Sequence, residues 1–165
     1  MSDNFIIPQG RENIFKNAIY MALNNQEYEA IHILAPQVEN LFRALAKELG
    51  AITVTLEEDG TSKEKLLTSV FDLPELLDAY DNDILFLFRG LLNEQAGANI
   101  RNNIAHGLLT EPAAKSGVCI FFICAIIKLL SSTARQCARI FINSPKLKTI
   151  EQPTQNIIPT LIKPD

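Results

Sequence analysis

Apolar residues recur at three- and four-residue intervals along most of this chain, whereas strict alternation is scarce. Ile14, Ala18, Met21 and Ala22 mark a first helix over Arg11–Leu23, opened after Pro8-Gln9-Gly10 and fading at Asn24-Asn25. Ile31, Leu34, Val38, Leu41, Phe42 and Leu45 form one stripe on a second helix, Glu27–Leu49, with Gly50 placed to cap it. Pro36 falls inside that stripe and predicts a kink, because it removes one helical hydrogen bond.

Beyond Gly50 the pattern shortens. Ile52-Thr53-Val54-Thr55 is strand-like and runs into an acidic turn, Glu57-Glu58-Asp59-Gly60, so Ala51–Gly60 is predicted to be a loop with some extended character. A short helix is expected over Lys63–Val70 with Ser62 as its N-cap, and another from Pro74. Ile84, Leu87, Phe88, Leu91 and Leu92 predict a helix that starts after Asp81-Asn82-Asp83 and ends near Ala96-Gly97. Asn99–His106 reads as a short helix, or a continuation of the preceding one, closed by Gly107; after a break at Glu111-Pro112 the longest helix should run over Ala114–Ile142. Four of the eight prolines fall in the last twenty-one residues. The expected fold is all-α, an irregular up-and-down helical bundle forming a single domain. Residues 1–10 would be a leader, 11–143 the domain and 144–165 a Pro-rich arm or tail.

Composition narrows the function. Fifteen basic and nineteen acidic residues give a net charge of -4 and a pI of about 5.2. That argues against coating nucleic acid non-specifically, which requires neutralising many phosphates at once, but not against a local anion site. Cys119, Cys124 and Cys137 all lie in one apolar helical stretch and are expected to be buried, reduced thiols. Met1-Ser2-Asp3-Asn4 lacks the basic start of a signal peptide, and Ser116–Ile127 is too short an uncharged run to span a bilayer. The expected location is the cytoplasm, with no membrane contact.

The chemistry concentrates in Gly97–Leu108. Arg101, Asn102, Asn103 and His106, one of only two histidines, lie within six residues. Imidazole is the natural acid/base group at neutral pH, and a guanidinium fork suits phosphate oxygens. Together they suit attack on a phosphodiester without metal. On a regular helix Arg101 and His106 point about 140° apart, while Asn102 and His106 share a face. Convergence on one phosphate therefore needs the helix to end at Gly107, or a second copy of the site across a two-fold axis. The plainer alternative pairs Arg101 with Glu94 and leaves His106 at a helix end beside its glycine cap.

The stretch Arg101-Asn102-Asn103-Ile104-Ala105-His106 resembles the arginine-x4–6-histidine signature of the HEPN superfamily (higher eukaryote and prokaryote nucleotide-binding domains). Ile33–Asn40, Leu73-Pro74-Glu75-Leu76 and Leu91-Leu92-Asn93-Glu94 extend the likeness over roughly residues 5–135. With that context the chain resembles an uncharacterised bacterial family whose eukaryotic relative is the endoplasmic-reticulum-membrane-associated RNA degradation protein. The resemblance implies a bundle that homodimerises around a composite cleft and acts as a metal-independent endoribonuclease, without cofactor, in RNA turnover or defence. His106 would be the acid/base residue, Arg101 the phosphate and transition-state stabiliser and Asn102 an orienting group. A regulatory protein partner is compatible with such a role. Many HEPN-like domains are instead non-catalytic modules that bind RNA, a nucleotide or a partner. A purely structural dimerisation domain, packing its Val118–Leu130 face between subunits, is a third reading.

Two residues outside the motif remain. Glu39 has Arg43 at i+4 and reads either as half of a surface ion pair or as a carboxylate that reaches the cleft to orient Arg101 or His106. His32, beside the apolar stripe, reads as a core-edge histidine. No metal site is expected, since the histidines fall on separate helices and no carboxylates cluster near His106.

Overall fold

The apolar stripe of the second helix becomes the axis of the molecule. In a computed structural model, residues 6–58 and 60–142 are described, with side chains as far as Ser132. Helix α1 (Glu12–Leu23) packs along α2 (Glu27–Glu48) through a tight turn in which Asn25 takes a positive φ of 60°. Helix α2 runs through Pro36 as one element and buries Ile31, Leu34, Val38, Leu41, Phe42 and Leu45. It ends as the sequence predicts. Gly50, at φ 89°, donates to the Lys47 carbonyl and Ala51 to that of Ala46, which satisfies two of the helix's terminal acceptors.

The next segment departs from expectation. Val54–Leu56 (β1) and Ser62–Glu64 (β2) form an antiparallel hairpin with Thr55 opposite Lys63, so the helix expected from Lys63 does not begin there. Helix α3 covers only Leu67–Phe71, after Leu66, and Ser62 caps nothing. Backbone pairing accounts for the difference: Glu57 donates to the Thr61 carbonyl at 2.8 Å and Lys65 to that of Thr53 at 2.8 Å. Both strands are exposed along their length; Ile52-Thr53-Val54-Thr55 carries the alternation that foreshadows β1, whereas Ser62-Lys63-Glu64 carries none to announce β2.

Helix α4 (Pro74–Ala79) starts on its proline, and α5 (Asn82–Leu92) is capped by Asp81, whose carboxylate accepts from the Asp83 amide at 2.9 Å. The latter stops at Leu92, short of the expected Ala96-Gly97. The chain folds back there, and Ala98 donates to the Gly90 carbonyl at 3.1 Å. A Cβ on Gly97 would fall inside the contact distance of that same carbonyl, so this close approach requires glycine. Helix α6 (Ile100–Ala105) follows. Then comes α7 (Glu111–Ala114), where a break was expected: Thr110 Oγ1 accepts from the Ala113 amide, and Pro112 occupies a first-turn position that costs no hydrogen bond. Lys115-Ser116 separates α7 from α8 (Gly117–Ile142), so the predicted Ala114–Ile142 helix is two elements.

The core is one cluster. Phe42 meets Phe71 at 4.8 Å and Phe88 at 5.3 Å between ring centroids, and Phe88 meets Phe122 at 6.5 Å, so four rings tie α2, α3, α5 and α8 together. Ile6 is buried within it, and Ile7 packs against it. The fold is thus an all-α, single-domain helical bundle with one small hairpin. Among the described residues no helix is long and apolar enough to cross a membrane. Cys119 is buried as expected, but Cys124 is exposed, because it falls on the outward face of α8; the side chain of Cys137 and the Pro-rich segment lie outside the described residues.

Candidate functional site

The motif occupies a helix too short to stand alone. Asn99 enters α6 with a left-handed φ of 50°, and its Oδ1 accepts from Asn102 Nδ2 at 2.7 Å. Asn tolerates this conformation better than most residues because its short polar side chain bonds locally. At the other end His106 is the C-cap. Gly107, at φ 66°, donates to the Ile104 carbonyl and Leu108 to that of Asn103, closing the helix in a Schellman arrangement. Buried Ile100 anchors the element, which packs on α2 and α5. Asn103 Nδ2 reaches back 3.3 Å to the Ala98 carbonyl in the loop that leads into α6.

Arg101 points toward α2. Its Nε donates to Glu39 Oε2 at 2.9 Å and its Nη1 to Asn102 Oδ1 at 3.1 Å. The other oxygen of Glu39 accepts from Arg43 Nη2, also at 2.9 Å. Glu39 therefore makes both the i,i+4 pair with Arg43 and an ion pair with Arg101. The alternative partner, Glu94, is taken by Arg89, whose Nε lies 2.8 Å from it at the end of α5. Arg101 pairs instead with Glu39 on α2.

Burial decides how these charges behave. The Glu39 side chain is 15% exposed and that of Arg101 40%. Burial pushes the Glu39 carboxyl upward, but hydrogen bonds from Arg43 and Arg101, with both their charges, outweigh it and hold the group below its ordinary range. Glu39 is therefore an anion at neutral pH, bridging two cations. Arg101 keeps one guanidinium nitrogen, Nη2, outside these bonds, which leaves donor capacity for an oxyanion.

The site residues do not all meet. Glu39, Arg101 and Asn102 are joined side chain to side chain. His106 is exposed, makes no side-chain hydrogen bond among the described residues and touches Asn102 only through its backbone amide, 3.0 Å from the Asn102 carbonyl. The face shared by Asn102 and His106 is thus not a side-chain pair. Asn99 and Gly97 were not singled out from the sequence, although Asn99 positions Asn102 and Gly97 sets the approach to α6. The available signal was a glycine and an asparagine just ahead of a short helix. His32 is a core-edge residue as expected: Nδ1 donates to the Tyr28 carbonyl at 2.7 Å, and the ring packs on Tyr28 at 4.2 Å. Among the described residues no group of side chains could hold a metal ion. Clefts of about 500 Å³ between the start of α2 and α7, and of about 470 Å³ between α5 and α8, are lined by neither Arg101 nor His106. Compared with protein-family models, with curated proteins and with solved structures, the chain matches none.

Proposed function

We propose that the protein is a metal-independent endoribonuclease of HEPN type whose working site is composed from two copies of the α6 motif. The observation that carries this reading is Arg101, held at two points by Glu39 and Asn102 with one nitrogen left open, on a short helix that ends in an exposed imidazole. Arg101 neutralises a phosphate and the charge that develops on its oxygens. His106 takes the proton of the ribose 2′-hydroxyl as its oxygen attacks phosphorus; the P–O5′ bond breaks and the imidazolium returns the proton to the departing 5′-oxygen, leaving a 2′,3′-cyclic phosphate and a 5′-hydroxyl. Asn102 orients Arg101. Although Gly107 closes α6, the Arg101 and His106 side chains of one chain share no hydrogen bond, and in this reading each phosphate is served by Arg101 of one protomer and the imidazole of the other. Self-association is supported by exposed apolar side chains: Leu108 just after the motif in the chain, and Val118, Ile120 and Phe121 at the start of α8. The cytoplasm, defence or RNA turnover, and control by a regulatory protein belong to this same reading.

Incubation of the purified chain with single-stranded RNA in EDTA tests it. Cleavage by the parent and its loss in both His106→Ala and Arg101→Ala support the assignment; no cleavage, or cleavage that survives both changes, contradicts it. One observation favours a second reading, a non-catalytic module that binds RNA, a nucleotide or a partner. Arg101 is already paired with a carboxylate on a chain of net charge -4, which weakens its hold on phosphate. Phosphate-dependent shifts of the His106 resonances without turnover would select that reading.

A further inference from the structure

We propose that Arg43 is a positioning residue for Arg101, and that the β1–β2 hairpin is the anchor from which it acts. Arg43 makes no hydrogen bond or ion pair with the α6 motif among the described residues. Its guanidinium instead lies between two elements. Nη1 donates to the Lys65 carbonyl at 2.6 Å, just past β2, and stands 3.5 Å from Glu64 Oε2; Nη2 donates to Glu39 Oε1 at 2.9 Å. The Arg43 side chain is 14% exposed against 40% for Arg101, so the inner guanidinium is the fixed one and the outer the freer one. A hydrogen-bonded line thus runs from the hairpin through Arg43 and Glu39 to Arg101 and Asn102.

Geometry gives the line its effect. Arg43 bonds Oε1 of Glu39 and so holds the carboxylate in the plane in which Oε2 accepts from Arg101 Nε; without that restraint the carboxylate turns and its bond to Arg101 loosens. Arg101 is thereby aimed through Nε while Nη2 stays open. Charge agrees: Glu39 faces Arg43 and Arg101, while Glu64 faces Arg43 and Lys47 at 2.9 Å, so three cations meet two carboxylates and one positive charge is left over on this face. The hairpin holds the Lys65 carbonyl in place through the Lys65–Thr53 bond. Since the 53/65 and 57/61 pairs are hydrogen-bonded, alternation makes Thr55 opposite Lys63 a hydrogen-bonded pair as well. The proposal rests on Arg101 being the anion-binding group.

The experiment reads Arg101 itself. In the full chain, exchange of the Arg101 Nε–H proton with water is followed by ¹⁵N NMR, the resonance being assigned by its absence from Arg101→Lys. Arg43→Met, which keeps the aliphatic stem, should speed that exchange about fivefold, as expected for the loss of one hydrogen-bonded restraint. Thr55→Pro, which removes a ladder N–H far from Glu39, should speed it in the same direction by less. Unchanged or slower exchange in Arg43→Met overturns the proposal, and unchanged exchange in Thr55→Pro overturns the anchoring role of the hairpin. Should Arg43→Met fail to fold, Thr55→Pro decides alone. No RNA enters this measurement, so a protein that shows the exchange pattern and yet cleaves no RNA contradicts the nuclease reading only.

Discussion

Arg101 and Glu39 lie 62 residues apart in the chain and 2.9 Å apart in the fold, joined from Nε to Oε2. This contact fixes the motif helix to the central helix. It also converts a sequence motif into an oriented cation, since Glu39 and Asn102 together leave the guanidinium little freedom about its own plane.

Acid should loosen this contact. The folded Glu39 carboxyl titrates below its ordinary value of 4.5, so its ionised form stabilises the fold in full above that value. The contribution is lost as pH falls below 4.5 through the lower folded value. Glu39→Gln should remove this dependence, and at pH 7 should cost about 1.5–3 kcal/mol, the range for hydrogen bonds to charged groups. Thermal unfolding of parent and variant between pH 7 and pH 3 checks both parts: the difference in Tm should shrink as the solution is acidified.

Gly97 should not accept a side chain. A Cβ there meets the Gly90 carbonyl, which already accepts from the Ala98 amide, so Gly97→Ala must push α5 and the entry to α6 apart. A cost of about 1–3 kcal/mol is expected, as for other overpacked sites. Urea unfolding measures it. Gly50→Ala, with open space around its Cβ, pays only for its positive φ and provides the comparison.

Phe42 makes two aromatic contacts, to Phe71 and to Phe88, and is fully buried. Phe42→Ala should cost about 3–5 kcal/mol, while Phe42→Leu, which keeps most of the volume, should cost less. Chemical denaturation of the two variants gives the ordering.

The helices were legible where an apolar stripe repeated, and hardest to read where polar residues paired through backbone. The stripe of α2, its Gly50 cap and the Gly107 closure of α6 all follow from local rules. Ser62-Lys63-Glu64 carries a capping signal and no alternation, yet it forms β2, because the ladder from Thr53 to Lys65 satisfies the backbone without burying a side chain. At the site, the Glu39–Arg43 pair was readable from i,i+4 spacing. Glu39–Arg101 was only one of two directions that carboxylate could take, and the choice depends on how α6 lies on α2. Glu94 looked equally available to Arg101, but Arg89 sits nearer along the chain, at the turn that ends α5.

Two cysteines on α8 should react differently. Cys124 is exposed, whereas burial both hides Cys119 and pushes its thiol upward, against a smaller opposing effect of a hydrogen bond with Ser116. In a Cys137→Ser background, a thiol reagent should label one site in the native protein and a second only on unfolding. Mass mapping should place the first label on Cys124.

The central claim is that Arg101 and His106 of two protomers cleave RNA without metal. Its most direct test mixes inactive His106→Ala chains with inactive Arg101→Ala chains, in EDTA, on a single-stranded RNA oligonucleotide. A composite site regains one intact Arg101–His106 pair in each mixed dimer, so the mixture should recover activity and yield 2′,3′-cyclic phosphate ends. A mixture as inactive as its components, from a parent that does cleave, would contradict the shared site.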